Sequence, residues 1–173
     1  MKIPKFIRDI FGKKKSLYEY DHVNINWIDD FHEGLAWFRL IGDGHHRYGF
    51  INKKFEVVIA PIFFKLQKFS NGLAPYWNGA SWGFINKNGL EVIRPRYYDI
   101  GEGFTEGLCP VKENKSGKYG FITKKGLYKI PPMYQLAFNF YQGRAQIVID
   151  NNFYFIDKNG KIITESLHRW YGV

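Results

Sequence analysis

Short runs of β-branched and aromatic residues recur along the chain, and most of them end in a turn rich in glycine and asparagine. The run WGFIN at 82–86, for example, leads into the turn 86–89 and then into a second strand-like run, EVI at 91–93. Strand-forming residues bounded by turn residues predict short β-strands. Asn86 suits the opening of such a turn because its side chain can bond the backbone, and Gly89 suits the positive φ angle near its end.

Three sequence motifs recur in the same order four times. The first motif reads FHEGLA (31–36), FSNGLA (69–74), FTEGLC (104–109) and FYQGRA (140–145). The second reads YGFIN (48–52), WGFIN (82–86), YGFIT (119–123) and FYFID (153–157). The third reads KKFEVVIAP (53–61), KNGLEVIRP (87–95), KKGLYKIPP (124–132) and KNGKIIT (158–164). Linked motifs at a fixed period predict a tandem array of four units, each about 35 residues long.

Each unit is predicted to hold roughly three short strands. The glycines Gly34, Gly72, Gly107 and Gly143 are expected to form a turn or bulge before the first strand. Pro61, Pro95 and Pro132 are expected to end the third strand, because proline cannot donate to a β-ladder. Such a unit cannot bury both faces alone, so neighbouring units must stack.

Alternation along the first strand of each unit predicts which side chains face the core. The position that stays small holds Ala36, Ala74, Cys109 and Ala145, and the apolar position two residues on holds Phe38, Tyr76, Val111 and Ile147. A period of two places both sets on one face. The opposite face, expected to be the solvent side, holds Trp37, Arg39, Trp77, Pro110, Lys112 and Gln146.

The recurring motifs resemble the bacterial WG-repeat family, also called KWG repeats, over about residues 27–164. The Trp-Gly pair that names the family stands here as Tyr48-Gly49, Trp82-Gly83 and Tyr119-Gly120. The last unit departs with Phe153-Tyr154, and the first departs with Phe55 at the turn glycine. The resemblance implies an all-β repeat architecture, solenoid-like or propeller-like, with a general role in binding. It supplies no catalytic residues.

Residues 1–15 differ in character from the repeat domain predicted over 16–173. They carry six Lys or Arg against one Asp, or +5 of the formal net charge of +9. Apolar residues at helical spacing predict a short helix over about 4–11. We expect it to cap the array, with a basic amphipathic helix on an anionic membrane surface or a partner, or a disordered tail, as the alternatives. Arg8 and Asp9 interrupt any signal-peptide core, which favours a cytoplasmic protein, or one peripheral to the membrane.

Three groups of residues are candidates for chemical sites, and each has a structural explanation. Cys109 occupies the small core position and is predicted to be a buried small hydrophobe rather than a nucleophile. His45 and His46, beside Asp43, lack the spacing of metal ligands and are expected at a solvated loop tip. Glu33 and Glu106 alternate with amides at the same position of other units, so they are predicted to cap turns rather than to form a hydrolase pair.

The sequence therefore predicts a non-catalytic binding scaffold, without a cofactor, a metal or a small-molecule substrate. Its partner is predicted to be a protein, bound across the first two units at Trp37, Arg39, His45, His46 and Trp77. Trp and Arg dominate the binding energy of protein interfaces. The weaker alternative is binding of nucleic acid, or of an anionic membrane, through residues 1–15 and exposed aromatic rings.

Overall fold

The computed structural model describes residues 24–42 and 45–165. All regular elements in these residues are β-strands, which confirms the all-β prediction. The predicted helix over 4–11 lies outside the described residues. Among the residues that are described, no helix is long and apolar enough to cross a membrane.

The strands form four sheets, each an antiparallel meander of four strands in chain order. Sheet 1 contains β1 (Asn24–Ile28), β2 (Leu35–Gly42), β3 (His45–Asn52) and β4 (Val57–Phe63). Sheet 2 contains β5 (Lys65–Leu66), β6 (Leu73–Trp77), β7 (Trp82–Asn86) and β8 (Glu91–Tyr97). Sheet 3 contains β9 (Asp99–Ile100), β10 (Leu108–Lys112), β11 (Tyr119–Thr123) and β12 (Tyr128–Tyr134). Sheet 4 contains β13 (Leu136–Ala137), β14 (Ala145–Ile149), β15 (Asn152–Ile156) and β16 (Ile162–Glu165).

One sheet corresponds to one repeat, so the prediction of four repeats is confirmed and that of three strands per repeat is wrong. The missed element is the strand before the FxxG motif, which is only two residues long in sheets 2, 3 and 4. A strand of two residues is too short to show an alternation of apolar and polar residues in the sequence. The described part of the chain divides between Pro95 and Arg96 into two compact units. Unit 1 holds repeats 1 and 2, and unit 2 holds repeats 3 and 4.

The glycine of the FxxG motif forms a two-residue hairpin turn. In repeat 1 the backbones of His32 and Leu35 exchange hydrogen bonds of 2.9 and 3.1 Å, and Glu33 and Gly34 between them have φ angles of 52° and 88°. Positive φ at both central residues defines a type I′ turn. The same pair of angles recurs at the equivalent residues of the other repeats, Asn71 and Gly72, Glu106 and Gly107, and Gln142 and Gly143.

The second turn also repeats, and it confirms the predicted roles of Asn, Asp and Gly. The Asn86 side-chain oxygen accepts hydrogen bonds from two backbone N–H groups of its own turn, each 3.0 Å long. Gly89, Gly126 and Gly160 close equivalent turns with φ angles of 76°, 75° and 84°. In repeat 1 Phe55 takes this position with φ 58°. Its ring packs edge-on against Phe31, 6.2 Å away between centroids.

The predicted stop at proline is wrong, because the third motif's strand runs past the proline in each case. β4, β8 and β12 are the outermost strands of their sheets and continue two residues beyond Pro61, Pro95 and Pro132. An edge strand tolerates proline because the missing N–H would not face a partner strand. The β11–β12 register is irregular here, since Phe121 pairs with Ile130 and Tyr119 pairs with Tyr134.

This bulge explains the glycine of the second motif. A Cβ atom on Gly120 would lie 2.7 Å from both the Ile130 oxygen and the Pro132 nitrogen. The corresponding distances are 2.5 and 2.8 Å at Gly49, and 2.7 and 2.8 Å at Gly83. The bulged edge strand thus lies directly against the glycine backbone, and no side chain fits between them.

The core between neighbouring repeats uses the same positions in both units. In unit 1 Phe50 of repeat 1 packs on Phe69 of repeat 2, with ring centroids 4.6 Å apart. In unit 2 Phe121 of repeat 3 packs on Phe140 of repeat 4 at 5.0 Å. Equivalent aliphatic residues surround each pair: Leu35, Ile59, Ala74 and Ile85 in unit 1, and Leu108, Ile130, Ala145 and Ile156 in unit 2. Stacking of repeats is therefore carried by a recurrent aromatic pair inside an aliphatic shell.

The predicted core face is confirmed, but the predicted solvent face is not exposed. Residues at the small and apolar positions are all buried: Ala36, Ala74, Cys109, Ala145, Phe38, Tyr76, Val111 and Ile147. On the opposite face Pro110 is buried, and the others are half-buried. The middle strands β6 and β10 have burial on both faces, so alternation could not separate a core face from a solvent face.

Candidate binding surface

The predicted binding residues lie on three strands of unit 1. Trp37 and Arg39 are half-buried on β2, and Trp77 is half-buried at the end of β6. His45 and His46 are exposed, but they form the first two residues of β3 rather than a loop tip. His46 pairs with Ile41 across the long β2–β3 hairpin. The neighbouring Asp43 lies outside the described residues.

Tryptophan and tyrosine rings on adjacent strands contact each other at this end of both sheets. Trp37 packs on Tyr48 at a centroid distance of 5.6 Å, and Trp77 packs edge-on against Trp82 at 5.5 Å. All four rings are half-buried. Trp37 also packs against the core of unit 1, whereas Trp77 and Trp82 lie outside that cluster. These two rings therefore contact each other outside the buried cluster that contains Phe50 and Phe69.

Arg47 and Phe64 connect the two sheets within unit 1. The Arg47 guanidinium lies over the Phe64 ring, 4.4 Å from its centroid. The same ring approaches the turn between β6 and β7, where a Cβ on Gly79 would lie 3.5 Å from it. We call the set Trp37, Arg47, Tyr48, Phe64, Trp77 and Trp82 the aromatic rim.

All residues of the rim except Trp37 lie in a stretch of sequence that is poor in acids. Between residues 45 and 90 the only acid is Glu56, against the six basic residues Arg47, Lys53, Lys54, Lys65, Lys68 and Lys87. Glu56 accepts a hydrogen bond of 2.7 Å from the Asn52 side chain. Trp37 lies outside this stretch. The rim therefore combines five aromatic rings, all half-buried except the exposed Phe64, with the positive charge of Arg47 and of a basic stretch of sequence.

The two glutamates that sequence analysis assigned to turn capping bind the turn of the next repeat. The Glu33 carboxylate accepts a 3.0 Å hydrogen bond from the Gly72 N–H and forms an ion pair of 3.3 Å with Lys87. In unit 2 the Glu106 carboxylate accepts a 3.1 Å bond from the Gly143 N–H and pairs with Lys158 at 2.9 Å. Capping is confirmed, but it acts between repeats. These carboxylates are structural clamps rather than a catalytic pair.

We expect the Glu106 clamp to make folding sensitive to acid. The Lys158 ammonium and then the Gly143 N–H hold the pKa of Glu106 below its ordinary value. A group whose pKa is lower in the folded chain adds stability at neutral pH, and that stability is lost as the pH falls through the folded pKa. Glu106→Gln should therefore unfold at a lower denaturant concentration than the wild type at pH 7. The difference should shrink toward pH 3.

The control for this experiment is Glu102→Gln. Glu102 is an exposed acid of the same repeat whose side chain makes no ion pair within the described residues. If Glu102→Gln and Glu106→Gln have equal unfolding midpoints at pH 7, the clamp contributes nothing to stability.

Cys109 occupies the predicted small core position. Its side chain is fully buried, and burial raises the pKa of the thiol well above its ordinary value. A nucleophilic cysteine needs the opposite shift, because the thiolate is the reactive form. Within residues 24–42 and 45–165, no three His, Cys, Asp or Glu side chains converge as a candidate metal site.

Sequence reasoning missed four residues of the rim: Arg47, Tyr48, Phe64 and Trp82. Trp82 was counted only as part of a strand motif, although its equivalents Tyr48 and Tyr119 mark it as a position that stays aromatic. Phe64 lies between two sheets and belongs to none of the motifs. The acid-poor stretch was visible in the sequence and could have drawn attention to Arg47.

The fold and the repeated glycine–proline contacts define an all-β tandem repeat protein. The sequence model of the WG-containing repeat family matches residues 48–76, 82–118 and 119–153, which together cover more than half of the 173 residues. The chain belongs to this family. The three matches begin at Tyr48, Trp82 and Tyr119, each followed by the glycine that contacts the bulged strand. No curated protein matches the chain closely enough to stand as a relative.

Proposed function

We propose that the protein is a non-catalytic repeat scaffold that binds an acidic segment of a protein partner through the aromatic rim. Trp, Tyr and Arg are the residues that most often dominate protein interfaces. The rim holds all three types within unit 1, and its residues other than Trp37 lie in the stretch 45–90, which carries six basic residues and one acid. The contact of Arg47, Phe64 and the β6–β7 turn carries the proposal, because it places a basic side chain of repeat 1 beside the turn that joins Trp77 to Trp82.

We propose a non-catalytic role because the side chains that could react are buried or already bound by other groups. Catalysis requires convergent groups that include an activated nucleophile or base. Cys109 is buried with a raised pKa, and Glu33 and Glu106 are engaged by backbone N–H groups and lysines. A cytoplasmic location and a solenoid-like or propeller-like arrangement of the repeats remain predictions.

Binding of nucleic acid is the second candidate, favoured by the same basic and aromatic stretch. Single-stranded nucleic acid needs aromatic faces open for base stacking. In the rim, however, Trp77 meets Trp82 edge-on, and the guanidinium of Arg47 covers one face of Phe64. This packing favours a protein segment that inserts a side chain among the rings. Membrane binding through residues 1–15 lies outside the described residues.

Peptides selected on the full chain from a random phage-displayed library are expected to be acidic, with one aromatic or aliphatic anchor. Trp77→Ala should weaken the selected peptide by about 2 kcal/mol, or roughly thirtyfold. Arg47→Glu should weaken it as well and reduce its dependence on salt, because an attractive charge is replaced by a repulsive one. Isothermal titration calorimetry at two salt concentrations measures both effects.

The control is Tyr141→Ala, which removes a ring that is 72 % exposed in unit 2 and should leave the affinity unchanged. Thermal unfolding of each variant separates binding from folding. Trp77 is half-buried and lies outside the cluster around Phe50 and Phe69, so its removal should lower the melting temperature only slightly. Basic selected peptides, or an unchanged affinity in Trp77→Ala, would count against the rim. Tighter binding of an oligonucleotide than of any peptide would favour the second candidate.

A further inference from the structure

The outer strands of the four sheets differ in how they avoid pairing with another chain. An edge strand exposes unpaired backbone groups, and proteins protect such edges with prolines, bulges and charged side chains. β4, β8 and β12 each contain a proline and lie against a glycine of the neighbouring strand. β12 also carries Lys129.

β16, the outer strand of sheet 4, lacks the proline and the neighbouring glycine, and its one charged residue is Glu165 at its end. The chain contains no proline after Pro132, and Tyr154 occupies the position that is glycine in the other repeats. Tyr154 pairs with Glu165 and Phe155 pairs with Thr164 in one register, so the larger shift found between Tyr119 and Phe121 in sheet 3 is absent here. Only the shift between Phe155 and Ile156 remains. Ile162 and Ile163 are 46 % and 50 % exposed. β16 thus begins with two exposed isoleucines and has no partner strand on its outer side within the residues described.

The sequence of this strand is complementary to itself in the antiparallel direction. It reads KIITE over 161–165, with a lysine at one end and a glutamate at the other. When two copies pair about Ile163, Lys161 of each copy lies opposite Glu165 of the other. Ile163 lies opposite its own equivalent. Opposite charges and β-branched pairs across strands stabilise an antiparallel ladder.

We propose that β16 pairs antiparallel with β16 of a second copy of the chain. The contact is a two-fold interface in which the same strand serves both subunits, and it joins two copies of sheet 4 into one continuous sheet. It lies in unit 2 and does not depend on the aromatic rim.

The substitution that tests this pairing introduces a residue that another repeat already has at the equivalent position. Ile163 is equivalent to Lys129 of β12, so a lysine is compatible with the repeat at this position. In a dimer of Ile163→Lys, the two introduced ammonium groups would face each other, and like charges directly opposite each other are destabilising. Sedimentation equilibrium of the full chain should show a dimer. Ile163→Lys should raise its dissociation constant at least about tenfold, which corresponds to about 1.4 kcal/mol.

Val92→Lys is the matched control. Val92 holds the equivalent position on β8 and is 44 % exposed, but it precedes the protecting Pro95. This variant should dimerise like the wild type. A wild type that stays monomeric at high protein concentration overturns the proposal. A dimer that Ile163→Lys does not weaken, or that Val92→Lys weakens equally, overturns it as well.

A cross-link locates the contact independently of the lysine variant. On a Cys109→Ala background, which copies the alanine of the other repeats, Ile163→Cys places two thiols opposite each other across the two-fold axis. Directly opposed residues have Cα atoms about 4.5–5.5 Å apart, within the range of a disulfide. Mild oxidation should give a covalent dimer with Ile163→Cys and none with Val92→Cys. Equal cross-linking of both variants would indicate random collision.

Discussion

Phe140→Ala is expected to lower the free energy of unfolding by about 3–5 kcal/mol. The Phe140 side chain is only 2 % exposed, and its ring packs 5.0 Å from that of Phe121 in the preceding repeat. The pair lies inside an aliphatic shell, so truncation leaves a cavity that rigid strands cannot close. Urea unfolding followed by far-UV circular dichroism measures the loss.

Phe138→Ala is the control for this truncation. Phe138 lies two residues earlier in the same repeat and is 49 % exposed, so its removal should cost under about 1 kcal/mol. Phe69→Ala repeats the test in unit 1, where Phe69 packs on Phe50 at 4.6 Å. If Phe140→Ala and Phe138→Ala lose the same stability, the aromatic pair does not hold neighbouring repeats together.

Gly120→Ala is expected to cost about 2–3 kcal/mol, because one added methyl group meets backbone rather than flexible side chains. The methyl carbon would lie 2.7 Å from the Ile130 oxygen and 2.8 Å from the Pro131 carbonyl carbon. Relief requires the β12 bulge to move away from β11. The unfolding midpoint in urea should therefore fall by a large fraction of the wild-type value.

Gly34→Asn is the control for Gly120→Ala. It tests whether the loss of stability at Gly120 comes from steric contact or would follow the replacement of any glycine. Gly34 has φ 88°, and a Cβ there meets nothing within 4 Å. Asparagine tolerates such angles, so this variant should lose about 1 kcal/mol or less. Equal losses at Gly34 and Gly120 would be incompatible with the close approach of the bulged strand.

The repeats and their turns could be predicted from the sequence because each depends on local chemistry. Asn86 and Gly89 form their turn from bonds within a few residues, and the same pattern at Asp157 and Gly160 gives the same turn. The stacking of repeats followed from their inability to bury both faces alone. What recurs in the sequence therefore recurs in the structure.

The errors arose where the structure depends on residues distant in sequence. Pro132 does not end its strand, because β12 lies at the edge of the sheet, and a strand's place in a sheet cannot be read from its own residues. Pro110 is buried because both faces of β10 are covered. The carboxylates of Glu33 and Glu106 accept hydrogen bonds from backbone N–H groups that lie in the next repeat. The rim was found only in part, since Phe64 meets Arg47 through the packing of two sheets.

The rim can be observed directly through the indole N–H resonances of the five tryptophans. Titrating the full chain with the selected acidic peptide should shift the resonances of Trp77 and Trp82 most. The resonance of Trp27, which is 56 % exposed in the same unit, should change little. No such shifts are expected with a control peptide in which lysines replace the acidic residues and the aromatic or aliphatic anchor is kept. Shifts largest at Trp27 or Trp170, or equal shifts with both peptides, would contradict binding of an acidic partner at the aromatic rim.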